Sequence, residues 1–382
     1  MTTARQPNPD FRPDPDRAVF LTGQITQGTL DQIGPTILRL QFSSRQPITL
    51  YIDSPGGETR SAEALNNLLR AGTQDSALPC RLITVATTTA ASAAADLLAG
   101  ADYALAYPYS RILFHGVRQG ADVLTREEAT LLAQRMASYN ENFALELARN
   151  CIFRFIFRVV LLRPEFHSIR ERENNLSLSD SQCMTFALQD RVSPGLRDLL
   201  LASFDQSVEI ETRDAYVAEK LRAYDLGTLP EAEFGVLVFK SILDYELELL
   251  KQKNYPPWSL TQSFGDIEDK FLLLIDMHQD HHNRMIRMLC ERWGEFFLAP
   301  AEGEGYESKT EGDRTDWLLH AVEGRLRPIW FFFVSICRQL QKQDYWLSSA
   351  DAYWLGLIDE VIGRDDLSNL RIIAENAPPT PG

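Results

Sequence analysis

The chain reads as an α/β protein with a mainly parallel sheet joined to a large helical module. Two observations carry that reading. Short apolar runs of strand character alternate with helical stretches from Ala18 to His115, the pattern of repeated strand-helix units. Beyond Asn150 the strand signals fade and long helical periodicities take over.

The elements follow in order. Ala18-Val19-Phe20-Leu21 has strand character, and Thr29 to Gln41 is helical. Ile48 to Ile52 is a strand and Arg60 to Arg70 a helix. Leu82 to Ala86 is a third strand, a short helix starts after Ser92, and Tyr103 to Ala106 and Ile112 to Phe114 are strands. Leu124 to Arg149 is one long amphipathic helix with Leu131, Leu132, Met136, Phe143, Leu145 and Leu147 as its apolar positions. Farther on, Asp214 to Tyr224, Glu231 to Lys251, Asp266 to Phe297 and Trp317 to Gln341 are helical, while Ala299 to Asp316 has the glycine-rich, acidic composition of a surface loop.

Bulk properties exclude several classes. Fifty-three acidic residues against 38 basic ones leave a formal charge of -15, the wrong sign for neutralising phosphates, so no nucleic-acid partner is expected. The apolar runs Cys151 to Leu162 and Trp330 to Cys337 are too short to cross a bilayer, and no membrane association is expected. Arg154 and Arg158 should line a polar edge of the first run. The proline-rich start, Met1 to Pro15, has no apolar core of a secretory signal, which makes cytoplasmic residence the default. Five scattered cysteines without CxxC spacing read as buried thiols. His278 and His282, at i and i+4, could share a metal, but Gln279 stands where a metalloprotease helix has Glu; a solvated helical face is the preferred reading, and no metal or other cofactor is expected.

Three short stretches carry chemistry, each at the end of a strand run: Asp53-Ser54-Pro55-Gly56-Gly57, Thr89-Ala90-Ala91-Ser92, and Ser110-Arg111-Ile112-Leu113-Phe114-His115. They supply a loop of backbone donors, a hydroxyl nucleophile and a base. Amide hydrolysis needs a hydroxyl deprotonated as it attacks and N–H groups arranged for the oxyanion that develops. Ala93 opens a helix whose first-turn N–H groups lack intrahelical partners. Gly56 and Gly57 let a backbone approach substrate closely.

With Phe20-Leu21-Thr22-Gly23, Leu50-Tyr51-Ile52 before the Gly-Gly loop, Ala90-Ala91-Ser92 and the stretch ending in His115, residues Arg17 to Arg149 resemble the proteolytic subunit of the Clp protease family, within the Clp/crotonase superfold. A second piece, Asp344-Tyr345-Trp346-Leu347-Ser348 and then Gly356 to Val361, resembles the family's closing segment. The resemblance implies a Clp/crotonase-like fold and a serine endopeptidase. Ser92 would be nucleophile, His115 general base and Asp344 the orienting acid, with Gly57 and Ala93 giving the oxyanion hole. It implies a peptide or unfolded-protein substrate and a homo- or hetero-oligomeric ring. No phosphate-binding loop is present, so any ATP use would come from an AAA+ unfoldase as partner. Residues 1–16 are expected to be a disordered arm, 17–150 and 328–366 the two parts of the catalytic domain, 151–327 a helical insertion, and 367–382 a tail. Because the insertion leaves beside the long helix that stacks rings in the family, altered or single-ring assembly is expected.

Departures from the family pattern are Thr88 in place of Gly before the serine run, Ala93-Ala94 in place of Met-Gly after it, and Gly116-Val117-Arg118 after the histidine. Leu178 to Val192 also fits the closing pattern and would put Asn175 in the acid's place. Two alternatives therefore stand beside the peptidase: a catalytically weak or inactive scaffold subunit, and a crotonase-type enzyme acting on acyl thioesters.

Overall fold

The computed structural model describes residues 13–71, 79–118, 125–221, 277–297, 311–342 and 344–367, with isolated positions between 237 and 248. It divides into two compact units, 1–201 with 336–382, and 202–335.

The first unit is built on a seven-stranded sheet. β1 (Ala18–Thr22), β2 (Ile48–Ser54), β3 (Leu82–Ala91), β4 (Tyr103–Ala106) and β7 (Glu360–Val361) run parallel in that order. β3 is long enough to serve two neighbours. Its first half pairs with β4, and its last residues, Thr89 to Ala91, pair in parallel with β5 (Arg111–Phe114). β6 (Tyr345–Ser348) then adds to β5 antiparallel. The first five residues of β2 and of β3 are mostly buried and mainly apolar, as parallel strands covered by helices are.

The crossovers are α1 (Gln27–Ser43), α2 (Thr59–Arg70) and α3 (Ala93–Ala99). Thr26 caps α1 and Thr125 caps α4 (Arg126–Leu162), each accepting a backbone N–H from the third helical residue. α4 runs through the expected boundary at 150. Its second half, Ala144 to Leu162, supplies most of its buried residues, so Cys151 to Leu162 packs within the first unit. Arg154 and Arg158 are accordingly not on a polar edge. Both are buried, and Arg154 donates to the carbonyls of Ala99 and Ala101 at 2.7 Å and pairs with Asp359 at 2.9 Å. A guanidinium offers five donors, and α3's C-terminal carbonyls together with the closing segment use them. Asp359 also accepts the Ala104 N–H at 2.7 Å, so one buried pair ties α4, the β4 entrance and the C-terminal segment together.

α5 (Phe166–Arg172), α6 (Asp180–Gln189) and the start of α7 (Arg197–Leu221) follow. Among the described residues no strand stands between α6 and β6; the segment that completes the sheet is the distant one, with α10 (Ser349–Trp354) between β6 and β7.

The second unit contains most of α7, α8 (Met277–Phe297) and most of α9 (Glu311–Lys342). Phe331, Phe332 and Phe333 are buried. His282 is buried too, and its Nδ1 accepts the Trp330 indole N–H at 2.7 Å, so it does not lie on a solvated face. The His278 side chain lies outside the described residues. Among the described residues no group of three or more metal-binding side chains is gathered, and no helix is long and apolar enough to cross a membrane. All five cysteines are buried without a disulfide. Of the expected arm, residues 1–12 lie outside the described residues, whereas Pro15–Arg17 form a short 3-10 turn whose Arg17 is buried. Residues 299–310 of the expected loop, most of the helix expected over 231–251, and the tail beyond 367 also lie outside them, and α9 already begins at Glu311.

Candidate active site

Ser92 stands where β3 hands over to α3, with φ 56° and ψ -135°. A non-glycine residue held there costs roughly 1–3 kcal/mol and persists only where its surroundings over-determine it. They do. The Ser92 N–H donates to the Leu113 carbonyl of β5 at 2.8 Å, and its own carbonyl accepts from Ala95 at 2.8 Å. Across from it lies Gly56, at φ +89°, where a Cβ would meet Ala91 O and Ser92 Cβ at 2.5 Å. The loop is thus fitted to the serine so closely that only glycine can stand there.

Gly57 is bridged to Ile25 in parallel. The bonds of that bridge are made by its neighbours, with the Ile25 N–H donating to Gly56 O at 2.8 Å and the Glu58 N–H to Ile25 O at 2.9 Å. The N–H of Gly57 therefore points to the other side of the chain. Gly57, Ser92, Ala93 and His115 all line one cavity of about 610 Å³.

His115 follows β5, and its Nδ1 lies 2.7 Å from the Gly116 carbonyl. A carbonyl can only accept, so in the neutral ring Nδ1 carries the hydrogen and Nε2 keeps its lone pair. The chain beyond is held by the Val117 N–H donating to Asn140 Oδ1 of α4 at 2.7 Å.

Phe114 is paired with Tyr345 in the β5–β6 ladder. Continuing that antiparallel register by one residue sets His115 opposite Asp344. Asp344 is exposed and bonded by the Arg118 guanidinium. Those hydrogen bonds, helped by the charges of Arg118 and His115, hold its carboxyl below the usual range. Among the described residues no hydrogen bond links Ser92 to His115 or His115 to Asp344; Gly116 and Arg118 hold the partners instead. Asn175, the other candidate, is spent locally, its Oδ1 accepting the Ser177 N–H at 3.1 Å and hydroxyl at 2.7 Å.

Sequence reasoning passed over Asp96. It lies on α3 one turn beyond Ser92 and lines the same cavity. Burial, and secondarily the charge of Glu146, push its carboxyl up to about 7. The available signal was an acid inside the otherwise apolar run Ala93 to Leu98.

Residues 13–151 match the family model described as Clp protease. The match covers about a third of the chain and makes this segment similar to that family. Similar curated proteins include the ATP-dependent Clp protease proteolytic subunit 2 of Prochlorococcus marinus strain NATL2A, 31% identical over 137 residues, which are 35% of this chain and 60% of that relative. The subunit of the same name from Prochlorococcus marinus strain MIT 9313 is 28% identical over 181 residues, 46% of this chain and 82% of the relative. The Clp protease match ends within α4, so Asp344 and both strands of the closing segment lie outside it.

Proposed function

We propose that this chain is a Clp-type serine endopeptidase. The observation that carries the reading is the Ser92 junction, a serine at positive φ at a strand-helix turn, opening on the cavity that His115 also lines. In the reaction His115 Nε2 takes the Ser92 hydroxyl proton as Oγ attacks the peptide carbonyl carbon. The carbonyl π pair moves to oxygen, where the Gly57 and Ala93 N–H groups receive it. Imidazolium then protonates the departing amine, and water repeats the sequence on the acyl-enzyme. Asp344, released from Arg118, would stabilise the imidazolium. The tautomer that makes Nε2 basic is already favoured by the Gly116 carbonyl.

Ring assembly, a peptide or unfolded-protein substrate and a partner ATPase belong to the same proposal, supported by the family match and by the words "ATP-dependent" and "proteolytic subunit" in the names of the relatives. Fluorophosphonate labelling tests it: Ser92 should be modified, and Ser92→Ala should abolish the signal.

One observation favours a second reading, that of a weakly active or inactive scaffold subunit. Asp344 is bonded to Arg118, and His115 Nδ1 is on Gly116. Absence of labelling in the isolated chain and in every assembly it forms would favour that reading over the first.

A further inference from the structure

The wall of the cavity beyond Ser92 carries a group that the acyl-transfer steps leave unused. Asp96 sits four residues after the serine, one helical turn on, with its N–H donating to the Ser92 carbonyl at 3.3 Å, and both residues line the cavity. Helical side chains lean toward the N-terminus, which tilts the Asp96 carboxyl toward the serine end. The same cavity is lined by Leu97 and Gly100 of the same helix region, Ala62 and Asn66 of α2, and Phe143 and Leu147 of α4. A carboxyl in such company is costly to ionise unless a cation meets it.

The cavity's own cations are already engaged. Arg70 is bonded to Asp102 at 3.2 Å and to the Gly100 carbonyl, and Arg118 is held by Asp344. Arg149 and Glu146 lie 3.8 Å apart on α4 and offset each other. On α2, Glu63 adds a further negative group at the cavity wall. Asp96 has no basic side chain bonded to it among the described residues.

Resting on the peptidase reading, we infer that Asp96 is a specificity determinant: it forms the floor of the pocket for the substrate side chain next to the scissile bond and selects arginine or lysine there. A long basic side chain spans the helical turn from an acyl group on Ser92 to the Asp96 carboxylate and brings the cation that this carboxylate lacks. A leucine side chain would leave the acid buried and unpaired, the arrangement by which polar sites reject apolar analogues.

The test uses the full chain at pH 8 with short fluorogenic peptide amides ending in Arg or Leu, fluorophosphonate labelling of Ser92, and thermal-shift titration with benzamidine as a cationic probe. The expected result is kcat/KM at least about tenfold higher for Arg than for Leu, with the order reversed in Asp96→Leu while labelling persists. Benzamidine should raise the melting temperature of the wild type and of Ser92→Ala, and leave Asp96→Leu unmoved. Persistent labelling with an Arg/Leu ratio unchanged by Asp96→Leu overturns the assignment and leaves the peptidase reading intact. If Ser92 is never labelled, the peptidase reading fails, and benzamidine then decides: a shift lost in Asp96→Leu upholds a cation pocket at Asp96, and its absence from the wild type ends it.

Discussion

The two sides of the cavity are built to different standards. On the side of the proposed nucleophile, Ser92 is held between β3, β5 and α3 by backbone hydrogen bonds, with Gly56 fitted against it. On the side of the proposed base, His115 follows the last residue of a four-residue strand, and Asp344 is exposed and bonded to Arg118. Strain and close packing can be stored only where a sheet interior over-determines the backbone, whereas an exposed ion pair is weak and easily exchanged. One half is fixed by folding. The other half rests on an exposed ion pair.

That contrast can be broken most severely at Gly56. Gly56→Ala forces a Cβ against Ala91 O and Ser92 Cβ, and peptide hydrolysis together with Ser92 labelling should fall by about 100-fold or more, as reacting groups shift by an ångström. Retained labelling would show that the nucleophile side tolerates rearrangement. On the other side, Asp344→Asn should lower kcat by only about 10- to 100-fold, less than the roughly 10⁴ found where an aspartate alone fixes the tautomer, because Gly116 already accepts from Nδ1. The melting temperature should not move, since the Asp344–Arg118 pair is exposed.

Asp96 gives a third measurement, read as stability. Its carboxyl is raised from 3.8 to about 7 in the fold. The folded protein therefore holds this proton more tightly than the unfolded chain, and the group's contribution is complete below pH 3.8 and lost as pH rises through about 7. Asp96→Asn should be more stable than the wild type at pH 8, by up to about 4 kcal/mol, with the gap closing toward pH 4 in urea unfolding. A constant gap would mean that Asp96 is not the group that titrates. The smallest effect is expected from Arg118→Ala, a modest rise in peptide hydrolysis as Asp344 is released, with no change in melting temperature. A fall would make Arg118 part of the machinery instead of a competitor for the acid.

Much of the first unit was legible because local rules and tertiary demands agree there. Tyr103 to Ala106 is a strand within the bounds read from the sequence, and α1, α2 and the helix after Ser92 begin within two residues of their expected starts. Where reading failed, burial overrode local pattern. Arg154 and Arg158 look like the polar edge of a helix, yet the carbonyls at the end of α3 and the closing segment give their guanidinium groups partners inside. His282 looks like a surface histidine until Trp330 is set beside it. Asp96 is passed over because one-dimensional periodicity cannot say that it borders a cavity.

Strand-helix alternation, the Gly-Gly loop, and the order of Ser92 before His115 are written in the chain, since each depends on neighbours within a few residues. Which of two distant segments completes the sheet, and so whether Asp344 or Asn175 comes opposite the histidine, required the fold: β6 pairs with β5 across more than two hundred residues, a choice made by long-range strand pairing and burial. The present partners of His115 and Asp344 also depend on the fold, because the Gly116 carbonyl takes the His115 Nδ1 hydrogen and the Arg118 guanidinium takes the Asp344 carboxylate.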